Sequence, residues 1–87
     1  MIEKKLQAKR DLQARTAALF VQLAGKFEAN TKIAVGNKQT SCKSLLGMIS
    51  LSVLEGYNVV LTAEGTDAEE AIKELSAFME EKANDAE

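Results

Sequence analysis

An arginine at the start of an alanine-rich stretch marks one place where this sequence could bind an anion. Arg15 falls in what should be the first turn of a helix, just after a polar segment that includes Asp11. The N–H groups of a first turn are free and carry partial positive charge, which predicts an anion-binding corner. Gln13 precedes Arg15, but a carboxamide is neither a nucleophile nor a base, and the chain contains no histidine. We therefore expect no phosphoryl transfer through Gln13.

A second place of interest is the serine that precedes the most apolar stretch of the chain. Ser44 stands at the N-cap position of a predicted short helix that contains Gly47 and ends at Gly56. A helix this short that is apolar on nearly all sides can hardly bury all of its large side chains. Either all of its large apolar residues belong to the core or several form an exposed docking patch, and we favour the patch. These residues are Leu45, Leu46, Met48, Ile49, Leu51 and Leu54.

The composition predicts one compact domain over residues 1–87, too small to enclose a cofactor between lobes. The longest apolar run, residues 17–21, is far shorter than the roughly 20 residues that cross a bilayer, and the N-terminus lacks the apolar core of a signal peptide. We therefore expect a cytoplasmic protein that does not contact a membrane. Cys42 is the only cysteine, which predicts a small buried hydrophobe and no metal site.

The two halves of the chain carry opposite charge. Residues 1–43 contain nine basic and three acidic residues, whereas residues 44–87 contain two basic and ten acidic residues. A basic half could indicate nucleic-acid binding. The lysines are scattered, however, and the few aromatic residues offer no stacking platform for bases. We therefore expect a mixed-charge surface and no direct contact with nucleic acid.

Periodicity divides the chain into seven elements. Alternation of apolar and polar residues predicts the strands, and the spacing of Ala17, Phe20 and Ala24 predicts a helix. The predicted order is strand (2–8), helix (14–25), strand (31–35), strand (38–42), short helix (45–55), strand (57–63) and helix (68–79). Thr66 and Glu69 have the spacing of a capping box for the last helix, and the tail from about residue 83 is expected to fray.

This order predicts an α+β fold. Both long helices have one apolar face, so they most simply cover one side of a four-stranded antiparallel sheet. The result is a two-layer sandwich. A ferredoxin-like arrangement, which lacks the short helix, is the alternative.

Three segments, in this order, resemble the signatures of one family. Residues 12–18 resemble the active-site segment of the HPr family, the histidine-containing phosphocarriers of the bacterial sugar phosphotransferase system. Residues 43–47 resemble the segment around the family's regulatory serine, and residues 64–71 resemble the lead into its last helix. The similarity extends from Ile2 to about Glu81. It implies an HPr-like open-faced sandwich of order βαββαβα, with three helices on one side of the sheet.

The departures from the family pattern point to one subgroup. Gln13 stands in the place of the phosphocarrier histidine, and Thr16 stands in the place of a proline that usually sets the start of the first helix. Glutamine at this place is similar to the paralogues called catabolite repression HPr. That resemblance implies a non-catalytic regulatory protein, phosphorylated only on its serine by an HPr kinase/phosphorylase. The phosphorylated form would act as corepressor of a LacI-type catabolite control protein.

The resemblance also implies which residues carry this function. Ser44 is the expected phosphorylation site and Gln13 the degenerate phosphocarrier position, and a phosphate on Ser44 would meet the positive end of the short helix. We expect Lys43 beside it, with Arg15 on the same surface if both helices start at one edge of the sheet. The implied partner-binding residues are Gln13, Ala14, Arg15, Ala18, Leu45, Leu46, Met48 and Ile49.

Two other interpretations stay open. The chain could be a degenerate phosphocarrier that binds and modulates transporter or glycolytic enzymes without a transcriptional role. A stand-alone enzyme is the weakest interpretation, because the sequence offers no histidine, no paired carboxylates in its motifs and no metal constellation. Whether the chain is a corepressor or a degenerate phosphocarrier, we expect a monomer or a weak homodimer without a cofactor.

Overall fold

A computed structural model describes residues 1–81, so the fraying expected from residue 83 lies outside the described residues. Within this range no helix is long and apolar enough to cross a membrane. All seven predicted elements are present in the predicted order. The strands are β1 (Ile2–Gln7), β2 (Asn30–Val35), β3 (Lys38–Ser41) and β4 (Asn58–Glu64), and the helices are α1 (Arg15–Ala24), α2 (Leu45–Leu51) and α3 (Ala68–Glu80).

The four strands form one antiparallel sheet in the order β1-β4-β2-β3. β1 pairs with β4 from Ile2 opposite Ala63 to Gln7 opposite Asn58, and β4 pairs along its other edge with β2. β2 and β3 form the predicted hairpin, with Gly36 in the turn at a φ of 61°. Buried and less buried residues alternate along β4, so one face of the sheet lies against the core.

The three helices cover that face. Phe20 of α1 packs against Phe78 of α3, with ring centroids 5.7 Å apart and planes tilted by 58°. Beneath them Ile33 of β2 and Leu61 of β4 lie opposite each other and are fully buried. The predicted α+β open-faced sandwich is therefore confirmed.

α2 ends earlier than the sequence predicts. Its last residue is Leu51, and Ser52 adopts a left-handed conformation with a φ of 52° that stops the helix. Val53 follows, is fully buried and forms an isolated bridge with Leu12. The expectation that Gly56 ends the helix is wrong, because the backbone already turns at Ser52 and brings Val53 into the core.

The predicted capping box at the start of α3 is not formed. Asp67, not Thr66, is the N-cap residue, and no side chain caps the helix. The Asp67 carboxylate instead accepts hydrogen bonds from the backbone N–H groups of Glu28 and Ala29, both at 2.9 Å. The bond from Glu28 is the largest cause that holds the pKa of Asp67 below its usual value. These bonds tie α3 to the turn before β2.

Candidate functional site

The segment that leads into α1 is fixed by the residues that follow α2. The Leu12 N–H donates to the Val53 carbonyl at 2.8 Å, and the Leu12 side chain is fully buried. The Asp11 carboxylate accepts a hydrogen bond from the Glu55 N–H, also at 2.8 Å. The beginning of α1 therefore lies beside the C-terminal end of α2.

The same segment is also held by the end of α3. The Lys9 N–H donates to the Met79 carbonyl at 2.9 Å. The Arg10 guanidinium donates to the Phe78 carbonyl at 3.2 Å and lies 4.4 Å from the centre of the Phe78 ring, within the range of a cation–π contact. Because the residues after α2 and the end of α3 both form hydrogen bonds with it, the segment before α1 is a rigid support for the residues that follow.

The structure places Gln13, Ala14 and Arg15 at the surface, with Ala18 half-buried behind them. Arg15 is the first residue of α1 and so lies in its first turn, as predicted. Within residues 1–81, the N–H groups of Arg15 and Ala17 have no backbone acceptor, and no side chain caps the helix. Free first-turn N–H groups beside an arginine are the geometry of an anion-binding corner.

Thr16 is the second residue of α1 and stands in the place where the family usually has proline. Its N–H donates to the Gln13 carbonyl at 3.1 Å, a bond that proline could not make. The unusual backbone conformation lies two residues earlier, at Ala14, with φ 50° and ψ −114°. A positive φ is costly for a residue with a Cβ, so the strain in this corner is stored at Ala14.

Ser44 caps α2 as predicted. Its Oγ accepts a hydrogen bond from the Gly47 N–H at 3.0 Å, and its carbonyl accepts one from the Met48 N–H at 2.9 Å. Gly47 in turn lies against β3, because a Cβ at this position would overlap Thr40 Oγ1 and would lie 2.8 Å from Thr40 Cβ. The start of α2 and the middle of β3 therefore pack as one unit around Ser44.

α2 presents two different faces. Met48 is 0% exposed and points into the core together with Leu51, three residues later. The expectation that Met48 belongs to an exposed partner surface is therefore wrong. The opposite face carries Leu45, Leu46 and Ile49, which are all exposed, Leu46 at 80%. We call these three side chains the apolar patch.

The two cations expected beside Ser44 lie elsewhere. Lys43 turns away and donates from Nζ to the Phe27 carbonyl at 2.6 Å. Arg15 stands at the start of α1, which adjoins the C-terminal end of α2, whereas Ser44 precedes the N-terminal end. The two helices thus do not start at one edge, and the length of α2, about 10 Å for seven residues, separates the two positions.

Two further residues of this region are not among the predicted site residues. Leu19 of α1, next to Ala18, is 46% exposed. This exposure could have been predicted, because Leu19 lies one position away from the apolar stripe of α1. Thr40 packs on Gly47, and the available signal was a glycine inside a short helix, which indicates close approach of another element.

The thiol of Cys42 is buried in the described structure. Residues 1–81 contain no group of three or more His, Cys, Asp or Glu side chains that could hold a metal ion. Burial raises the pKa of Cys42 to about 12, so its thiol stays protonated at neutral pH and is a poor nucleophile. The region around Ser44 instead combines one hydroxyl with an exposed apolar patch.

The fold and this site define a small α+β open-faced sandwich with a serine that caps its short helix and an anion-binding corner without an imidazole at the start of its first helix. The model of the family described as "PTS HPr component phosphorylation site" matches residues 2–81. The chain therefore belongs to the HPr family, as its sequence resemblance predicts.

Individual relatives narrow this further. The HPr-like protein Crh of Bacillus subtilis is 39% identical over 84 residues, which cover 94% of this chain and 99% of that protein. A crystal structure of the phosphocarrier protein HPr from Bacillus anthracis superposes with a TM-score of 0.87 at 42% identity, covering 91% of this chain and 96% of that one. A crystal structure of Bacillus subtilis Crh, described as a swapped dimer, gives a TM-score of 0.77 at 38% identity, covering 97% and 94%. These findings confirm the predicted likeness to the catabolite repression paralogues, and a phosphocarrier HPr is similar to the chain at comparable identity.

Proposed function

We propose that the chain is a non-catalytic, cytoplasmic regulatory protein of carbon catabolite repression. An HPr kinase/phosphorylase phosphorylates Ser44, and the phosphorylated protein binds a LacI-type catabolite control protein as its corepressor. The contact surface combines the apolar patch with the corner formed by Gln13, Ala14, Arg15 and Ala18.

One observation carries this proposal: Ser44 caps α2, and the residues directly after it are the exposed Leu45 and Leu46. A phosphate on Ser44 brings a charge of roughly −2 to the margin of an exposed apolar surface. Interfaces typically combine an apolar centre with a polar or charged rim. Phosphorylation at this position therefore changes how a partner is recognised without requiring the backbone to move.

Gln13 supports the regulatory part of the proposal. It is exposed on the surface, where a phosphocarrier would present its imidazole, and within residues 1–81 its side chain makes no hydrogen bond. A carboxamide nitrogen has no lone pair comparable to that of a neutral imidazole. The corner is therefore available for partner contacts while the histidine relay is absent.

The phosphorylation step is an ordinary phosphoryl transfer. The bond between Ser44 Oγ and the γ-phosphorus of ATP forms as the bond from that phosphorus to the bridging oxygen breaks, ADP leaves, and the serine proton passes to a base of the kinase. Incubation with an HPr kinase/phosphorylase and ATP, followed by intact mass and peptide mapping, tests it. We expect one phosphate on Ser44 in the natural chain and in Ser50→Ala, which removes an exposed hydroxyl of the same helix, and none in Ser44→Ala. Equal labelling of Ser44→Ala would contradict the proposal.

Binding to the transcription factor is tested separately. A LacI-type catabolite control protein, immobilised, should retain the phosphorylated chain and release the unphosphorylated one. Leu46→Asp, introduced into the phosphorylated chain, should weaken retention by at least about tenfold, since a buried apolar contact would become a desolvated charge. Equal retention of both phosphorylation states would contradict the corepressor role.

A second candidate is a degenerate phosphocarrier that binds transporter or glycolytic enzymes and modulates them. Its support is the corner itself, where Arg15 and the free N–H groups of the first turn persist without the imidazole. Capture of such metabolic enzymes by the unphosphorylated chain, lost in Arg15→Gln, would favour this alternative.

We propose that the chain is a monomer or a weak homodimer. The Crh structure described as a swapped dimer supports an accessible dimeric state. Light scattering coupled to size-exclusion chromatography over a concentration series tests this, and a stable trimer or larger assembly would contradict it.

A further inference from the structure

The space above the Cα of Gly47 is flanked by two hydroxyl groups. A Cβ placed there would overlap Thr40 Oγ1 and would lie 3.0 Å from Ser44 Oγ. The two hydroxyls therefore approach the same small volume from β3 and from the start of α2. Glycine at position 47 leaves room for both hydroxyls.

The Thr40 hydroxyl is available as a donor. Thr40 lies opposite Ile33 in the β2–β3 register, and Ile33 is in the core, so Thr40 stands on the face of the sheet that α2 covers. The side chain is half-buried, and its hydroxyl has no hydrogen-bond partner among residues 1–81. It also borders a hollow of about 280 Å³ between β3 and α2. That hollow is lined by Lys38, Gln39, Thr40, Gly47, Ser50 and Leu51.

We propose that Thr40 contacts the phosphate carried by Ser44, donating a hydrogen bond from its hydroxyl to a phosphate oxygen. This deepens the proposed function, on which it rests, by assigning a second residue to the phosphorylated state. The hydrogen bond holds the phosphate against β3, so a partner meets it in one defined orientation next to the apolar patch. A donor also favours the more highly charged form of the group, which lowers the second pKa of the phosphate.

The charged side chains nearby do not account for this effect. Lys43, the neighbour of Ser44, directs its ammonium to the Phe27 carbonyl. Lys38 borders the hollow and is exposed. Both stay in place when Thr40 is replaced, so their influence on the phosphate is the same in every variant compared.

The test uses the full chain with phosphoserine incorporated at position 44 by genetic encoding, so no kinase is needed. The phosphorus NMR signal is followed from about pH 4 to about pH 9, a range that brackets the second phosphate pKa of about 6. Three proteins are compared: the phosphorylated chain, its Thr40→Val variant and its Thr40→Ser variant. Thr40→Val keeps the shape of the side chain and removes the hydroxyl, whereas Thr40→Ser keeps the hydroxyl. We expect the phosphate pKa to rise by about 0.5 in Thr40→Val, because a donor to the dianion is lost, and to stay near its original value in Thr40→Ser.

An unchanged phosphate pKa in Thr40→Val would overturn the proposal, and so would an equal rise in Thr40→Ser. The backbone spectrum of each variant reports whether the fold is kept, and Thr40→Ala replaces Thr40→Val if the latter does not fold. Failure of the proposed function is seen elsewhere, as absence of kinase labelling on Ser44 or of phosphorylation-dependent binding. The phosphate pKa of the encoded phosphoserine does not depend on either.

Discussion

Asp67 is bonded to Ala29 across 38 positions of sequence, with the carboxylate Oδ1 accepting the Ala29 N–H at 2.9 Å. The other oxygen accepts the Glu28 N–H at the same distance. Gly65 tightens the contact, because a Cβ there would lie 2.8 Å from the Cα of Ala29. One carboxylate therefore fixes the start of α3 against the turn that begins β2, where sequence reasoning expects only a local helix cap.

Replacing this carboxylate should lower the free energy of unfolding at pH 7. Asp67→Asn keeps the size of the side chain, but its amide nitrogen cannot accept the second N–H. Since the pKa of Asp67 is lowered in the folded state, its stabilising effect is present above the unfolded value of about 3.9 and is lost as pH falls through the lower folded value. Urea titrations of both forms should therefore converge as pH falls from about 4 into strongly acidic solution.

Glu69→Gln is the matched control for this experiment. It removes an acidic group from the same first turn of α3, but within the described residues that carboxylate accepts no such pair of backbone bonds. It should change stability far less than Asp67→Asn at pH 7. Equal losses in the two variants would show that the general charge of the helix start matters and the bonded pair does not.

Substitutions on the two faces of α2 should differ in how much they lower the free energy of unfolding. Leu46→Asp places a charge where the side chain is already exposed and should change the free energy of unfolding by less than about 0.5 kcal/mol. Met48→Ala removes a fully buried side chain and should cost about 2 to 5 kcal/mol. Thermal or denaturant unfolding measures both. A large loss in Leu46→Asp would mean that the apolar patch is part of the core.

Ala14 should be improved by glycine. Its φ of 50° and ψ of −114° cost a residue with a Cβ about 1 to 3 kcal/mol. Glycine avoids this strain at an entropic cost of roughly 0.5 to 1 kcal/mol, so Ala14→Gly should raise the free energy of unfolding by about 1 kcal/mol. Ala14→Val should lower it, since a branched Cβ tolerates positive φ even less. A stabilised Ala14→Val would show that the corner relaxes without strain.

Cys42 should resist thiol reagents while the protein is folded. The side chain is fully buried, and burial raises the thiol pKa to about 12, so little thiolate exists at pH 8. A chromogenic disulfide reagent should label it only after denaturant is added. Ser41→Cys in a Cys42→Ala background supplies an exposed thiol for comparison and should react at once. Equal rates in the two folded proteins would contradict the buried placement.

Most of the fold follows from patterns within single elements. The alternation of β4 and the helical stripe of α1 report which faces are buried, so element order and the layered arrangement could be predicted. The end of α2 could not be predicted from such a pattern. The helix stops at Ser52, where Val53 enters the core, and Leu12, the bridge partner of Val53, is far away in sequence. The capping pattern at the start of α3 gave a wrong prediction for the same reason. The Asp67 carboxylate accepts hydrogen bonds from residues 28 and 29, which are distant in sequence, instead of forming a local cap.

Within the candidate site, the capping role of Ser44 could be predicted, whereas the burial of Met48 and the separation of Arg15 from Ser44 could not. Ser44 could be placed because an N-cap has a local sequence pattern. Met48 could not, because α2 has too few polar residues to reveal which side faces water. Its orientation is set by the contact of Gly47 with Thr40 on β3, which no local pattern shows.

That orientation also separates two kinds of evolutionary constraint within one helix of seven residues. The side that meets β3 and the core leaves little freedom, since Gly47 and Met48 are held by contacts the fold needs. The side that carries Leu45, Leu46 and Ile49 can change with little effect on folding. Duplicated copies of such a chain can therefore diverge in partner choice by exchanging three surface side chains, while the scaffold stays the same.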